Sequence, residues 1–194
     1  MQELALPMTD LEDGTPEAPD LAKLVRRAKA GDAGAFEQII LCHERLVFRI
    51  ALRLLGHVED AQDAAQDVFL KLYKHLRRLD DTRAFSPWLY KVTLNACRDI
   101  AATRKRDQGV PLETIQPAAP QEKNLGDERR IVALGLKRLP EKERAALVLR
   151  DIEGLPTAEV ARVLGSSEAT VRSQICSARL KIKRFADGFQ GRTR

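Results

Sequence analysis

The chain has 194 residues, 44% hydrophobic and 31% charged, which allows one sizeable domain or two small ones of ordinary globular composition. No run approaches the roughly 18 apolar residues of a membrane span, and the N-terminus has no basic flank followed by an apolar stretch. Membrane insertion and secretion are therefore not expected, and the cytoplasm is. The net charge is +5, yet residues 1–20 hold six acids and no Lys or Arg. Removing that −6 leaves +11 for the rest of the chain, a balance that fits either a nucleic-acid partner or a merely basic surface.

Cys42, Cys97 and Cys176 lie far apart with no CxxC, and His43, His57 and His75 show no zinc spacing. Free thiols in a reducing compartment are expected, with no metal and no cofactor.

Residues 1–20 combine the acids with Pro7, Pro16 and Pro19 and few large apolar side chains, so they read as a disordered acidic tail. From Leu21 to Arg106 the apolar spacing is helical, with breaks near Gly31–Gly34, Gly56 and Asp80–Ser86. Within this block Glu59–Tyr73 is one helix with two sides. Ala61, Ala65, Val68, Leu72 and Leu76 form the inward stripe, while Asp60, Asp63 and Asp67 share the opposite side with Gln66 and Leu70. An acidic strip with an outward Leu suits docking on a basic protein and suits DNA poorly; a plain solvated face is the other reading. A metal site there would need Glu-x-x-His partners, which are absent.

The next helix is predicted to start with Ser86 as cap and Pro87 at its first position. Leu89, Val92, Ala96 and Ile100 face the core, and Trp88, Lys91, Asn95 and Arg98 line an adjacent stripe that Arg104, Lys105 and Arg106 extend. A ring, an amide and cations in a row offer single-stranded DNA stacking, base-edge hydrogen bonds and phosphate contacts. Trp88 alone would equally serve as a core residue, and Tyr90 falls on another face with its role open.

Residues 107–126 hold three prolines, two glycines and no sustained period, and read as a flexible linker. Helical spacing resumes at Asp127 and persists to about Phe185, leaving 187–194 as a basic tail. In Leu155–Ser173 a short helix carries Val160, Ala161 and Leu164 inward, Gly165 stops it, and Ser167 caps the next helix with Thr170 in its first turn. This is a helix-turn-helix pattern. Val171, Ile175, Ala178, Ile182 and Phe185 make the buried stripe of the second helix. Its other side offers Ala169, Arg172, Ser173, Cys176, Arg179 and Lys183. Residues at the start of such a helix meet base edges and later cations meet phosphates. The fold class is all-α, two helical domains (21–106 and 127–186) on a tether long enough to touch two places on one extended partner.

Leu139–Leu155, running into the helix-turn-helix, resembles region 4 of the extracytoplasmic-function sigma factors, which grips duplex DNA at the minus-thirty-five promoter element. Glu59–Tyr73 resembles the sigma segment that binds the clamp helices of RNA polymerase core enzyme. Trp88–Lys91 with Asn95 resembles the minus-ten region, where one base of the opened strand is extruded into a protein pocket. The resemblance spans roughly residues 21–106 and 127–186. It implies a subunit that binds core polymerase through Asp60, Asp63, Gln66, Asp67 and Leu70, and reads promoter DNA with Asn95 and Arg172 as the leading base-reading residues. Many relatives are also held inactive by an anti-sigma factor.

The chain departs from that pattern at Pro156, where a capping Ser is usual, and at Gln174, Cys176 and Ser177, where basic or bulky residues are frequent. The promoter sequence therefore cannot be copied from a relative. A conventional helix-turn-helix regulator is the alternative reading; an enzyme acting on nucleic acid would need a nucleophile, metal cluster or phosphate loop that the sequence lacks.

Overall fold

The computed structural model describes residues 20–78, 85–107 and 127–190, which are helical with short turns and contain no strand. Residues 1–19 of the predicted acidic tail, residues 79–84 around the third predicted break (Asp80–Ser86), the linker beyond Asp107 and the last four residues lie outside the described residues.

In the first block, helix α1 (Leu21–Lys29) starts where the Asp20 carboxylate accepts hydrogen bonds from the Ala22 and Lys23 amides. Asp32 plays the same part for α2 (Ala33–Leu55), accepting from Ala35 N at 3.0 Å. Gly56, at φ 78°, takes the left-handed conformation that ends α2. Helix α3 (Val58–His75) runs into a single 3₁₀ turn at Leu76–Arg78, and α4 (Phe85–Asp107) packs across α2 and α3. Ile39, Val47, Ile50, Ala61, Val68, Leu72, Phe85 and Leu89 fill the space between these helices.

In the first block the stripe of α3 and the start of α4 differ from the sequence reading. On α3 Ala64 joins Ala61, Val68 and Leu72 in the buried stripe, while Ala65 is only partly buried, because the stripe drifts with the 3.6-residue period. Helix α4 starts at Phe85, two residues before Pro87. Phe85 is fully buried with its ring edge-on to His43, so core packing draws the first turn back. Pro87 is tolerated there because first-turn amides have no intrahelical acceptor.

In the second block α5 (Asp127–Lys137) lies along α8 (Glu168–Gln190), and α6 (Glu141–Leu147) packs on the same helix. Helix α6 widens into a π-helical turn at Val148–Ile152, where the Glu153 amide donates to Val148 O, five residues back. Helix α7 (Thr157–Leu164) completes the block. Pro156 occupies the N-cap of α7 with no side-chain cap bond, so the chain starts this helix on proline's fixed φ alone. Val163, not Leu164, joins Val160 and Ala161 in the core, and Leu164 is half-buried. Helix α8 runs on to Gln190, past the Phe185 where the spacing predicts its end. Phe185 lies beneath the Arg138 guanidinium (4.5 Å to the ring centroid) and so anchors that last stretch.

The larger difference is between the blocks. The tether predicts two separate bundles, but α2 touches α5, α6 and the π turn, and α4 touches α7. The buried apolar residues of both halves form one contiguous cluster.

Candidate nucleic-acid interface

The helix-turn-helix has the geometry its residues demand. Gly165, at φ 62° and ψ 42°, closes α7 in the left-handed region that side chains with a Cβ avoid. Ser167 Oγ accepts the Thr170 amide at 3.1 Å and lies 2.8 Å from the Thr170 hydroxyl, capping α8. Val171, Ile175 and Ala178 are buried, Ile182 and Phe185 half-buried. This fixes the rotation of α8, so Ala169, Arg172, Ser173, Cys176, Arg179 and Lys183 are all exposed. The structure brings Arg172, Cys176, Arg179 and Lys183 together, with Arg150, Thr157 and Leu180, around one shallow depression.

The cations on this face are held by carboxylates. Arg172 pairs with Glu168 one turn back at 2.6 Å, and Arg179 donates two parallel hydrogen bonds to Asp151 of the π turn at 2.6 and 2.7 Å. The Asp151 hydrogen bonds push the Arg179 guanidinium further up, so it stays fully charged. Behind them Glu143 accepts from Ser177 and Lys181. Asp151 and Glu143 were absent from the sequence reading, because partners 28 to 38 residues away leave no local signal.

On α4, Lys91, Asn95 and Arg98 are exposed along one stripe, and Trp88 is half-buried with its ring centroid 6.4 Å from that of His75. Arg98 donates to Glu141 of the second block at 2.6 Å. Arg104 is ion-paired to Asp60, Arg106 is exposed, and the Lys105 side chain lies outside the described residues. The two predicted faces therefore meet: Asp60, expected on the protein-docking strip, is half-buried against the cationic track of α4. The rest of the strip stays outward. Asp63, Gln66 and Leu70 are exposed, Asp67 is paired with Lys71, and Tyr73 (70% exposed) extends the apolar part. Tyr90 is half-buried, and burial pushes its hydroxyl pKa upward.

No group of three or more His, Cys, Asp or Glu residues suited to a metal exists among the described residues, and no described helix is long and apolar enough to cross a membrane. Cys97 is buried in the first block, which pushes its thiol up to about 12.

A capped helix-turn-helix with an exposed polar and cationic row on its second helix, joined to a helical block bearing its own aromatic and cationic stripe, defines a DNA-binding transcription factor. The comparisons specify which one. The family profile described as Sigma-70 region 2 matches residues 39–107, and that described as Sigma-70, region 4 matches residues 129–182. The chain is 35% identical over 164 residues to the ECF RNA polymerase sigma factor SigM of Mycobacterium tuberculosis, covering 84% of this chain and 83% of that one. It is 32% identical over 171 residues to the RNA polymerase sigma-H factor of Pseudomonas aeruginosa, covering 81% and 89%. Among solved structures, CnrH in complex with the cytosolic domain of CnrY superposes with a TM-score of 0.67 at 28% identity, covering 86% of this chain and 96% of that one. The sigma factor RpoE of Bartonella quintana, in complex with the anti-sigma factor NepR, shares the fold with a TM-score of 0.65 at 20% identity over 78% of this chain and 96% of that one. The chain belongs to the sigma-70 family, in its extracytoplasmic-function group, and is an RNA polymerase sigma factor.

Proposed function

We propose that the chain performs the sigma task with three surfaces, and that it does so in the cytoplasm by binding alone, without making or breaking bonds. The first block, residues 21–106, docks on core polymerase through Asp63, Gln66, Asp67 and Leu70 of α3, with Asp60 at the edge of that face. Its outward Leu70 and Tyr73 beside carboxylates fit a basic partner with apolar contacts, and they would repel DNA phosphates. The α4 stripe takes the opened minus-ten strand. Asn95 reads a base, Trp88 supplies a ring, and Lys91, Arg98, Arg104, Lys105 and Arg106 follow the phosphates. The second block, residues 127–186, reads the minus-thirty-five duplex. Ala169, Arg172, Ser173 and Cys176 reach base edges, and Arg179 and Lys183 reach phosphates. The linker at 107–126 spans the distance between the two elements.

The observation that carries this reading is the rotation of α8. Its buried stripe and capped start leave Arg172, Ser173 and Cys176 exposed together near its N-terminal end. An anti-sigma partner is also proposed: RpoE of Bartonella quintana is seen in complex with the anti-sigma factor NepR, and CnrH in complex with the cytosolic domain of CnrY.

The docking face is tested by gel filtration with purified core polymerase. The wild-type chain co-elutes with core. Asp63→Arg with Leu70→Arg, both at exposed positions, abolishes co-elution while preserving helicity and the upstream-duplex affinity. Co-elution of that variant at wild-type strength would refute the assignment.

A further inference from the structure

Helix α8 carries Arg172, Arg179 and Lys181, and a different carboxylate holds each of them. Glu143 of α6 takes Lys181 at 2.7 and 2.9 Å. Lys181 stands about 200° around the helix from Arg179, so this pair ties α8 to its own block away from the DNA row. Arg172 makes one bond, from Nη2 to Glu168 at 2.6 Å, and both side chains stand exposed on the same helix. Arg179 is gripped by its side. Its Nε and Nη2 donate to the two oxygens of Asp151, at 2.7 and 2.6 Å, and Asp151 belongs to the π turn 28 residues earlier.

That geometry leaves Arg179 a second, unused edge. A guanidinium is a planar fork whose side and end can each meet a two-oxygen acceptor. Asp151 occupies the side made by Nε and Nη2. The end, with both hydrogens of Nη1 and the second of Nη2, makes no hydrogen bond among the described residues, and the Arg179 side chain is 64% exposed. Arg179 can therefore keep Asp151 and present two donors to another anion at the same time. The anchor is rigid: Asp151 is short, only 24% exposed, and its turn is rooted by the fully buried Val148 and Leu149.

Two effects then compete. An acid near DNA repels phosphate, but across the guanidinium, at about 8 Å and physiological salt, one screened charge changes affinity by less than about twofold. An exposed arginine that a phosphate must immobilise loses rotamer freedom, which lowers affinity about 2- to 12-fold unless the side chain is already fixed. The second effect is the larger, so the acid helps binding.

We propose that Asp151 is a positioning residue for DNA, holding Arg179 by its side so that the free end of the guanidinium is already ordered and aimed at a phosphate of the upstream duplex. The inference rests on the reading of Arg179 as a phosphate contact and deepens it with the residue that acts through it. The π turn brings Asp151 onto Arg179 and sets Arg150 on the rim of the same depression.

The test measures binding of the full chain to a labelled duplex carrying the upstream element, over a salt series. Wild type, Asp151→Asn, Arg179→Ala and the double variant are compared. Asp151→Asn keeps the side chain's size and removes a negative charge. It should nevertheless weaken binding about 2- to 12-fold with the salt slope unchanged, because the phosphate contact still forms but from an unordered arginine. Arg179→Ala should weaken binding and reduce the slope by about 1. In the Arg179→Ala background Asp151→Asn should cause no weakening, since nothing remains to be held. Equal or tighter binding by Asp151→Asn alone would mean that the acid masks the cation. The same loss in both backgrounds would mean that it merely supports the helix-turn-helix. Either result overturns the proposal and leaves Arg179 as a contact. Wild-type affinity in Arg179→Ala would overturn the phosphate reading itself, and the positioning role with it. Should Asp151→Asn lower the melting temperature, Arg179→Lys gives the comparison. It keeps the charge and the slope but loses the fork, so the same several-fold loss is expected, and wild-type affinity there would overturn the proposal.

Discussion

Arg172→Ala separates the roles of fold and site most cleanly. The Arg172 side chain is 66% exposed, and its partner is Glu168 at i−4 on the same helix. Such a pair contributes about 0.3–0.5 kcal/mol, and Ala has the higher helix propensity, so the melting temperature should move by no more than about 2 °C. Against DNA the arithmetic differs. A guanidinium making two hydrogen bonds to one guanine discriminates that base by about 1–3 kcal/mol, equivalent to roughly 5- to 150-fold in affinity. Glu168 must release the guanidinium first, which places the expected loss in the lower half of that range. The assay is fluorescence anisotropy with a labelled duplex carrying the upstream element and with versions permuted at single positions. The substitution should weaken the correct duplex and flatten the preference at one position. As the internal comparison, Lys183→Ala should weaken all duplexes alike and reduce the salt slope by about 1. An equal loss for Arg172→Ala on every permuted duplex, or a fall in melting temperature above about 5 °C, would refute base reading by this residue.

Three further outcomes are expected. Leu72→Ala, at a fully buried site on α3, should cost about 2–5 kcal/mol in urea unfolding; a loss below about 1 kcal/mol would contradict the packing described. Thiol labelling of the native chain near pH 8 should find Cys42 and Cys176 reactive and Cys97 silent until unfolding, with bound upstream duplex protecting Cys176; three fast thiols would show that the first block opens readily. His57 stands at the N-cap of α3 without a side-chain cap bond, and burial, then Arg104 and Lys137, hold its pKa below the usual 6.5. Its neutral form is favoured in the folded state, so its stabilising contribution is complete above about pH 6.5 and is lost as pH falls through the depressed folded value. His57→Asn should supply the missing cap, add about 0.5–1 kcal/mol and flatten stability across that window; an unchanged slope would assign the dependence to other groups.

Local chemistry was legible in the sequence wherever a helix announces itself. The Ser167 cap, the Gly165 stop and the Val171–Ile175–Ala178 stripe determine which side of α8 faces water, and all three are encoded within residues 165–178. Cap grammar predicts that α4 starts at Ser86–Pro87, whereas the helix includes Phe85, whose ring is fully buried in the core. What the sequence withheld is the relation between the blocks. Arg49 and Arg53 on α2 and Glu153 after the π turn lie about a hundred residues apart and share no local pattern; only the fold places them together. The pairings of Asp60 with Arg104 and of Arg98 with Glu141 were hidden for the same reason.

The most direct test of the central claim is run-off transcription with purified core polymerase and fragmented genomic DNA, with and without the chain. The account predicts new, discrete start sites that appear only with the chain and share two spaced upstream elements, and that Asn95→Ala and Arg172→Ala each suppress. Core complex formation with no chain-dependent starts on any fragment, or starts indifferent to both substitutions, would contradict it.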